Sequence, residues 1–459
     1  MTQVEVVGGG ITGLVAARAA AIAGADVTLV EPGPLGGKVR SSAFDGGVLD
    51  EAADAFLARV PEGVELCREL GIEGDLVSPA ARRAHVWSRG ALRPLPIGQV
   101  LGVPTDLDEM ESSGILSPAG MARVRQELVT PLARPADDVT IGALMRHRLG
   151  DEAAERLVDP LVGGINAGDT DQLSLAATVP QLDAAARSGQ PSLIEACQAQ
   201  RAAGGDPDRP VFFAPKAGMG ALVAALVRDL EALGVQVVRD AVAAIERDGA
   251  AWRVHLTGDF AGADGIVLAA PAGPVAELLR PLAARAATLL AGIPYASVAL
   301  ISLAVPRDAI DRELDGSGFL VPRVEGRTIT ACSWTSQKWP HLAGDASTWL
   351  RASVGRDGAG AALDLPDDAL VGAVLADLSD TMALHGRPTE TRVSRWAASF
   401  PQYRPGHLDR VEIIDAELVD ATPGLALAGA ALRGLGVPAC IRQGQAAARR
   451  VLSALDARA

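Results

Sequence analysis

The sequence predicts an α/β fold, α+β overall, in which a discontinuous Rossmann-like domain is joined to a mixed-sheet domain and a helical insert. Three observations predict it. A short apolar run, Val4 to Val7, leads through a glycine-rich turn into an alanine-rich helix and a second strand that closes on Glu31. Similar strand, turn and helix patterns recur at residues 210–270 and 422–455. The chain has 459 residues, which is long for one compact core, so two or three subdomains are expected.

The turn after the first strand has the spacing of a dinucleotide-binding site. Gly8 permits the tight turn, Gly10 lets the backbone approach a diphosphate, and Gly13 lets the helix pack closely on the sheet. The diphosphate would then lie on free N–H groups at the positive end of the helix dipole. Glu31 is placed to accept the ribose hydroxyls. The alternative is a βαβ turn without a ligand, and the register of strand, helix, strand and acid weighs against it.

A second glycine pair indicates which dinucleotide is bound. Gly36 and Gly37 are followed by Lys38 and Arg40, and this segment resembles the GG-motif flavoproteins of the amine oxidase superfamily. The resemblance implies an FAD/NAD(P)-binding domain that takes FAD rather than a nicotinamide cofactor. Lys38 or Arg40 would neutralise phosphate or ribityl-side charge; the alternative is that each is a solvated cation on a glycine turn.

The remaining strands and helices divide the chain into three parts. Residues 106–204 are mostly helical by periodicity, and residues 272–393 alternate β-type runs with helices, as in a mixed sheet that roofs the flavin. The predicted FAD-binding domain comprises residues 1–75, 205–271 and 394–459, the substrate-binding domain residues 76–105 and 272–393, and the helical insert residues 106–204.

Composition excludes several classes of function. The net charge of -14 repels nucleic acid. The four cysteines are far apart and the histidines form no ligand cluster, so neither a disulfide framework nor a protein-bound metal is expected. The best apolar run, Ile293 to Val305, contains Pro294 and suits a buried strand better than a membrane span. We expect a cytoplasmic protein without a signal peptide or transmembrane segment; peripheral membrane contact stays open.

Beyond the first fifty residues the chain resembles one family nearly from end to end: the oxygen-dependent protoporphyrinogen/coproporphyrinogen oxidases of haem biosynthesis. The two most specific blocks are Asp159 to Asp169 (DPLVGGINAGD) and Gly434 to Gly444 (GLGVPACIRQG). Further matching blocks are Leu92 to Pro96, Gly102 to Thr105, Leu173-Ser174, Gly318 to Val321, Ala331 to Thr335, Arg395-Trp396 and Pro401 to Tyr403.

The resemblance implies an FAD-dependent oxidation of a porphyrinogen to the porphyrin, in which six electrons leave in three flavin cycles and O2 becomes H2O2. The soluble bacterial branch of the family acts on coproporphyrinogen III and the membrane-associated branch on protoporphyrinogen IX; this chain resembles the soluble branch. The implied partners are the porphyrinogen, O2 and, in a transient hand-over, the next haem-pathway enzyme. Three alternatives remain: a protoporphyrinogen IX oxidase, another GG-motif amine oxidase or desaturase, and an FAD-binding scaffold without turnover.

The resemblance also places the site residues. No dedicated catalytic side chain is expected, because flavin carries the redox chemistry. Val242 would present its backbone to adenine, the turn before the last helix would stabilise reduced flavin through the helix dipole, and Trp396 would flank the isoalloxazine or serve as a core aromatic. The predicted cofactor-binding residues are Gly8, Gly9, Gly10, Ile11, Thr12, Gly13, Glu31, Pro32, Lys38, Ala52, Ala53, Asp54, Ala55, Val242, Trp396, Leu435, Gly436 and Val437.

The substrate wall is predicted from the two interrupting segments. Its residues are Gly164, Ile165, Asn166, Phe319, Leu320 and Trp334. For Phe319 and Leu320 the alternative is ordinary packing within the roof sheet. Asn166 stands where the family often has an aromatic residue, and Ala52-Ala53 stand where it often has Gly-Pro. The chain therefore departs from the family where a ring would stack on the macrocycle and in the loop near the flavin. Lys216, Arg323, Lys338 and Arg351 lie in segments suited to bind propionates.

Overall fold

The computed structural model describes residues 2–135, 137–204, 210–342 and 347–457, and residue 205, where the second FAD segment was predicted to begin, lies outside them. The strands in chain order are β1 (Gln3–Val7), β2 (Asp26–Val30), β3 (Ser41–Phe44), β4 (Gly47–Asp50), β5 (Phe56–Leu57), β6 (Leu76–Val77), β7 (His85–Ser88), β8 (Ala91–Pro94), β9 (Gln99–Val100), β10 (Val103–Pro104), β11 (Phe212–Pro215), β12 (Gln236–Val238), β13 (Ala244–Asp248), β14 (Ala251–His255), β15 (Phe260–Ala263), β16 (Gly265–Leu268), β17 (Tyr295–Pro306), β18 (Gly318–Leu320), β19 (Ile329–Trp334), β20 (Ser347–Val354), β21 (Glu390–Pro401) and β22 (Leu425–Leu427).

A π-helical segment, Ala154–Gly163, continues between the short helices α6 and α7. The α-helices are α1 (Ile11–Ile22), α2 (Pro61–Glu69), α3 (Leu107–Ser113), α4 (Pro118–Arg125), α5 (Ile141–Leu149), α6 (Asp151–Ala153), α7 (Gly164–Asn166), α8 (Leu175–Thr178), α9 (Pro180–Ala186), α10 (Leu193–Ala203), α11 (Gly220–Ala232), α12 (Ala272–Leu279), α13 (Ala284–Ala291), α14 (Thr335–Lys338), α15 (Asp367–Met382), α16 (His407–Ala421) and α17 (Val437–Asp456).

The described residues confirm the predicted fold class. Five parallel strands form one sheet in the order β12-β2-β1-β16-β22, so its strands come from three distant stretches of the chain. Helices α1, α11 and α17 share a core with one face, and α12, α13 and α16 share a core with the other. A strand buried on both faces must be apolar along its length, which explains the Val4 to Val7 run.

The second large sheet, here called the roof sheet, has the strand order β21-β17-β20-β19-β18-β7-β8 in the described chain. Its strands pair antiparallel except β18 with β7. Alternate side chains of β17 and β20 pack with α15 in one apolar core, together with Ile329, Cys332 and Trp334 of β19. The opposite face turns toward loop 50–55, because Arg351 of β20 donates to the carbonyl oxygens of Asp50 and Ala52.

The helical insert has its own apolar core, closed by a buried ion pair between Glu127 and Arg148. The Glu127 carboxylate also accepts the Leu193 and Ile194 N–H groups at the start of α10. Pro160 lies inside the π-helical segment, where a proline removes one backbone donor, and π-helical turns are frequently found at functional sites. Within the described ranges, no helix combines the length and apolarity that crossing a bilayer requires.

Candidate functional site

The glycine turn after β1 has the geometry that its spacing predicts. Gly8 adopts φ +109°, and a Cβ on Gly13 would lie 1.8 Å from the Gly8 carbonyl oxygen, so α1 packs against the turn only without a side chain there. At Gly10, by contrast, an added Cβ would meet no described atom within 4 Å beyond its chain neighbours. Gly10 is extended, and no side chain of the described residues caps the helix that begins at Ile11. The turn therefore offers an open, uncapped helix N-terminus, which suits an anion.

The second glycine pair lies directly on the first turn. The Gly36 N–H donates to the Gly9 carbonyl oxygen at 2.8 Å, and a Cβ on Gly37 would lie 3.3 Å from the Gly10 Cα. Burial lowers the pKa of the Lys38 amine, which finds no hydrogen-bond or ion-pair partner within the described chain. A half-buried ammonium without an anion is unfavourable, so this cradle fits a bound phosphate or another acceptor on a cofactor.

Glu31 holds the glycine turn in shape. Its carboxylate accepts the Gly9 N–H at 2.7 Å and the Gly33 N–H at 2.8 Å, and the exposed Pro32 follows it. Val242 lies just before β13, and neither its N–H nor its C=O has a backbone partner among the residues that the structure describes. These free backbone groups fit the predicted adenine contact. The ribose contact of Glu31 and the adenine contact of Val242 stay predictions.

A second helix N-terminus converges on the same place. Gly436 is extended and caps α17 without a side-chain hydrogen bond from the described residues, so Leu435 and Val437 flank another open anion-binding end. Helices α1 and α17 are in close contact, because a Cβ on Gly444 would lie 2.4 Å from the Thr12 carbonyl oxygen. Cys440 is buried in the apolar core that both helices share. The first turns of both helices therefore open to one side of the parallel sheet.

Loop 50–55 joins this cradle to the roof sheet. Asp54 forms ion pairs with Lys338 at 2.7 Å and Arg351 at 2.9 Å. Burial opposes ionisation of Asp54, but the two cations outweigh it and hold the pKa of the carboxyl well below its usual range. Ala52, Ala53 and Ala55 are half-buried, and the last two pack against the core of the parallel sheet. Two of the four cations suggested for propionates thus share one carboxylate and leave one net positive charge.

Trp396 is oriented by the same loop. Its indole N–H donates to the Glu51 carbonyl oxygen at 2.9 Å, and the Arg40 guanidinium lies 5.2 Å from its ring centroid. The ring is half-buried beside Ala167 and Val298. It lines the space between the roof sheet and loop 50–55, as a residue flanking a flat cofactor would.

The predicted substrate residues fall into two groups. Ile165 is 61% exposed at the tip of α7, and a Cβ on Gly164 would lie 3.9 Å from the Leu320 side chain, so Gly164 and Leu320 are neighbours at the predicted substrate cavity. Phe319 and Trp334 are 2% and 0% exposed in the core with α15. The structure does not bring these two rings to the cavity.

The cause is strand alternation. Side chains of β19 alternate between faces, so Ala331 and Ser333 point away from the α15 core and Trp334 points into it. Ala331 and Ser333 belong to the cavity face, and they were not predicted. The signal was the alternation of the run Ala331 to Trp334, which needed the identity of the buried face before it could be used. Ile329 does not follow it, because the register shifts between Ile329 and Ala331.

The other predicted groups are paired with protein groups or exposed. Asn166, the last residue of α7, donates from its side chain to the Val162 carbonyl oxygen at 2.8 Å. Arg323 pairs with Asp169 at 3.0 Å, near the predicted substrate block, whereas Lys216 is exposed. Burial raises the pKa of the Cys332 thiol to about 12, which makes it an inert core residue. The described ranges hold no cluster of side chains able to bind a metal ion.

Comparison with known proteins agrees with this geometry. The family described as flavin containing amine oxidoreductase matches residues 11–452. The coproporphyrinogen III oxidase of Bacillus subtilis (strain 168) is 35% identical over 99% of this chain and 98% of its own length, and that of Mycobacterium leprae is 36% identical over 98% of each. A provisionally named protoporphyrinogen oxidase of Exiguobacterium sp. 255-15 superposes with a TM-score of 0.88 at 32% identity, covering 99% of both chains.

A more distant structure shows how widely the fold is used. Cyclohexylamine oxidase of Brevibacterium oxydans superposes with a TM-score of 0.72 at 18% identity over 99% of each chain, which indicates a shared fold alone. The full-length sequence relatives carry the closer assignment. The chain belongs to the flavin-containing amine oxidoreductase family, as an FAD-dependent oxidoreductase in the group of relatives named coproporphyrinogen III oxidase.

Proposed function

We propose that the protein oxidises coproporphyrinogen III to coproporphyrin III. The observation that carries the proposal is full-length similarity, at 31–36% identity, to several proteins named coproporphyrinogen III oxidase. The side chains support it, because Gly164, Ile165 and Leu320 would offer an apolar wall, and Lys338 and Arg351, paired on Asp54, would offer a cationic border. An apolar wall with a cationic border fits a flat macrocycle that carries carboxylates.

The overall reaction removes six electrons and six protons from the macrocycle, so three O2 become three H2O2. Bound FAD supplies the two-electron acceptor chemistry for each of the three oxidations. The uncapped N-termini of α1 and α17 would hold its diphosphate and stabilise negative charge on its reduced ring. Glu31 and Val242 would bind ribose and adenine, and Lys38 would lie beside the phosphates or the ribityl chain.

The remaining role of the protein is to position the substrate relative to the flavin. Gly164 has no side chain, so a ring can approach the backbone there. With substrate bound, Ile165 would cover one side of the macrocycle, and the half-buried face of the roof sheet that carries Leu320 would cover the other and exclude water. The pKa of Asp54 is too low for it to take up protons near neutrality; instead its carboxylate keeps Lys338 and Arg351 together. Asp54 is therefore a structural charge and not a general base.

We also propose O2 as the acceptor, a cytoplasmic location with peripheral membrane contact left open, and transient hand-over of the porphyrin to a following enzyme. Buried free thiols support a reducing compartment. The three-part division of the chain into FAD-binding, substrate-binding and helical parts, with the boundaries given above, is likewise proposed, and the order of strands in the parallel sheet supports it.

Protoporphyrinogen IX is the second candidate substrate, because the chloroplastic protoporphyrinogen oxidase 1 of Arabidopsis thaliana is 26% identical over 96% of this chain. Aerobic turnover of the purified protein with each porphyrinogen, followed by porphyrin fluorescence, separates the candidates. We expect a kcat/KM at least tenfold higher for coproporphyrinogen III. A reversed preference would replace that substrate, and no turnover of either would refute the proposal.

A further inference from the structure

The irregular segment 429–436, which links β22 to α17, is held by side chains from outside it. The Tyr403 hydroxyl donates to the Ala430 carbonyl oxygen and accepts the Gly434 N–H at 2.9 Å. Tyr403 is buried, and burial raises the pKa of its phenol, so the hydroxyl stays protonated and serves both bonds. One phenol oxygen thus ties together the two ends of a five-residue turn.

His407, the first residue of α16, supports the same segment. Its ring stacks on Tyr403 with centroids 4.1 Å apart, and its Nε2–H donates to the Leu432 carbonyl oxygen at 2.8 Å. Because the ring is fully buried, its pKa is lowered. The imidazole is therefore neutral, and the accepting carbonyl fixes the proton on Nε2.

Gln443 completes the set from the second turn of α17. Its side-chain carbonyl accepts the Arg433 N–H at 3.2 Å, and its amide donates to the carbonyl oxygens of Gly434 and Ala439 at 3.1 and 3.2 Å. Tyr403, His407 and Gln443, here called the brace, therefore satisfy backbone groups at four positions between 430 and 434. The segment has no strand or helix of its own to do so.

The segment matters because it delivers the N-terminus of α17. Gly434 adopts φ +102°, and Gly436 leaves the helix without a side-chain cap within the described residues. The field at a helix N-terminus acts only over about the first turn, and it falls off with distance from the exposed N–H groups. The position of residues Leu435 to Val437 therefore determines how strongly that field acts on a neighbouring group.

We propose that Tyr403, His407 and Gln443 are positioning residues that hold the first turn of α17 against the flavin. By doing so they set how strongly the site prefers reduced, negatively charged flavin over oxidised flavin. The inference rests on the proposed FAD site. It adds that the midpoint potential depends on three side chains that act through the backbone of segment 429–436.

The test is the two-electron midpoint potential of the bound flavin in Tyr403→Phe, which removes the hydroxyl and keeps the ring on His407. We expect at least a tenfold weaker preference for reduced flavin, a fall of about 30 mV for a two-electron couple, with FAD still bound. Tyr295→Phe is the matched control. Tyr295 is the chain's other tyrosine, and its hydroxyl also accepts a buried backbone N–H, that of Ala272 at 3.0 Å; its removal should leave the potential unchanged.

A potential in Tyr403→Phe that matches the wild type, with FAD bound, overturns the inference and leaves the proposed function standing. A wild-type protein that binds no FAD overturns both. An equal fall in Tyr295→Phe also overturns the inference, because it would trace the effect to general loosening. Gln443→Met removes the hydrogen bonds that α17 makes to the same segment, and it replaces Tyr403→Phe in the test if that variant does not fold. The midpoint potential of the flavin bound to Gln443→Met should also fall.

Discussion

Replacing Gly10 by alanine should remove FAD binding and leave folding intact. Gly10 has φ -70° and ψ 174°, which alanine adopts without strain, and the added Cβ would meet no described atom within 4 Å beyond its neighbours. The free energy of unfolding of the apoprotein should change by less than about 1 kcal/mol, because a compatible Gly-to-Ala change acts mainly on the unfolded chain. The methyl group would project from the uncapped turn where the diphosphate must approach.

We expect the Kd for FAD to rise at least a hundredfold, about 2.8 kcal/mol, measured by flavin fluorescence on titration of the apoprotein. Gly13→Ala is the contrasting variant. Its Cβ would lie 1.8 Å from the Gly8 carbonyl oxygen. This overpacking should lower the free energy of unfolding by about 1–3 kcal/mol, and FAD binding should weaken as well. Wild-type affinity in Gly10→Ala would refute the position assigned to the diphosphate, and an unstable apoprotein would refute the open space at Gly10.

Three further predictions concern groups away from the turn. Burial alone raises the pKa of Glu5 to about 7. The wild-type free energy of unfolding is therefore highest below the unfolded pKa of Glu5, and it falls as the pH rises through 7. In urea unfolding, the free energy of unfolding of Glu5→Gln should exceed that of wild type by about 3 kcal/mol at pH 9 and match it at pH 4. Asp159 and Arg356 form a buried pair at 2.7 Å, and Asp159→Asn should lower the free energy of unfolding by about 3 kcal/mol; no loss would mean that the pair is solvated. Ile165→Ser should raise KM at unchanged thermal stability, whereas Phe319→Ala should cost about 3–5 kcal/mol of stability; the opposite pattern would exchange their places.

The cofactor site could be predicted because several of its contacts join residues that are close together in the sequence. Gly13 and Glu31 act on atoms within one βαβ unit, so spacing alone places them. The contact of Gly36 with Gly9 also follows from a short connection. The fold class was predictable for a similar reason, because strands buried on both faces carry unbroken apolar runs.

The substrate side was less predictable because it depends on pairings between distant segments. Strand β18 pairs with β7 from the first hundred residues, and only that sheet decides that Leu320 faces the cavity and Phe319 the core. Lys338 and Arg351 meet on Asp54 across almost three hundred residues. Their charges were visible in the sequence, but their shared partner was not.

The central claim is that a flavin on this cradle takes electrons directly from coproporphyrinogen III. Anaerobic mixing of the FAD-loaded protein with that substrate, followed in the visible flavin absorption, tests it most directly. We predict that the flavin band bleaches at a rate at least equal to turnover, and that admitted oxygen restores it with three H2O2 formed per porphyrin. A flavin band that stays oxidised while porphyrin accumulates at the rate seen without protein would contradict it.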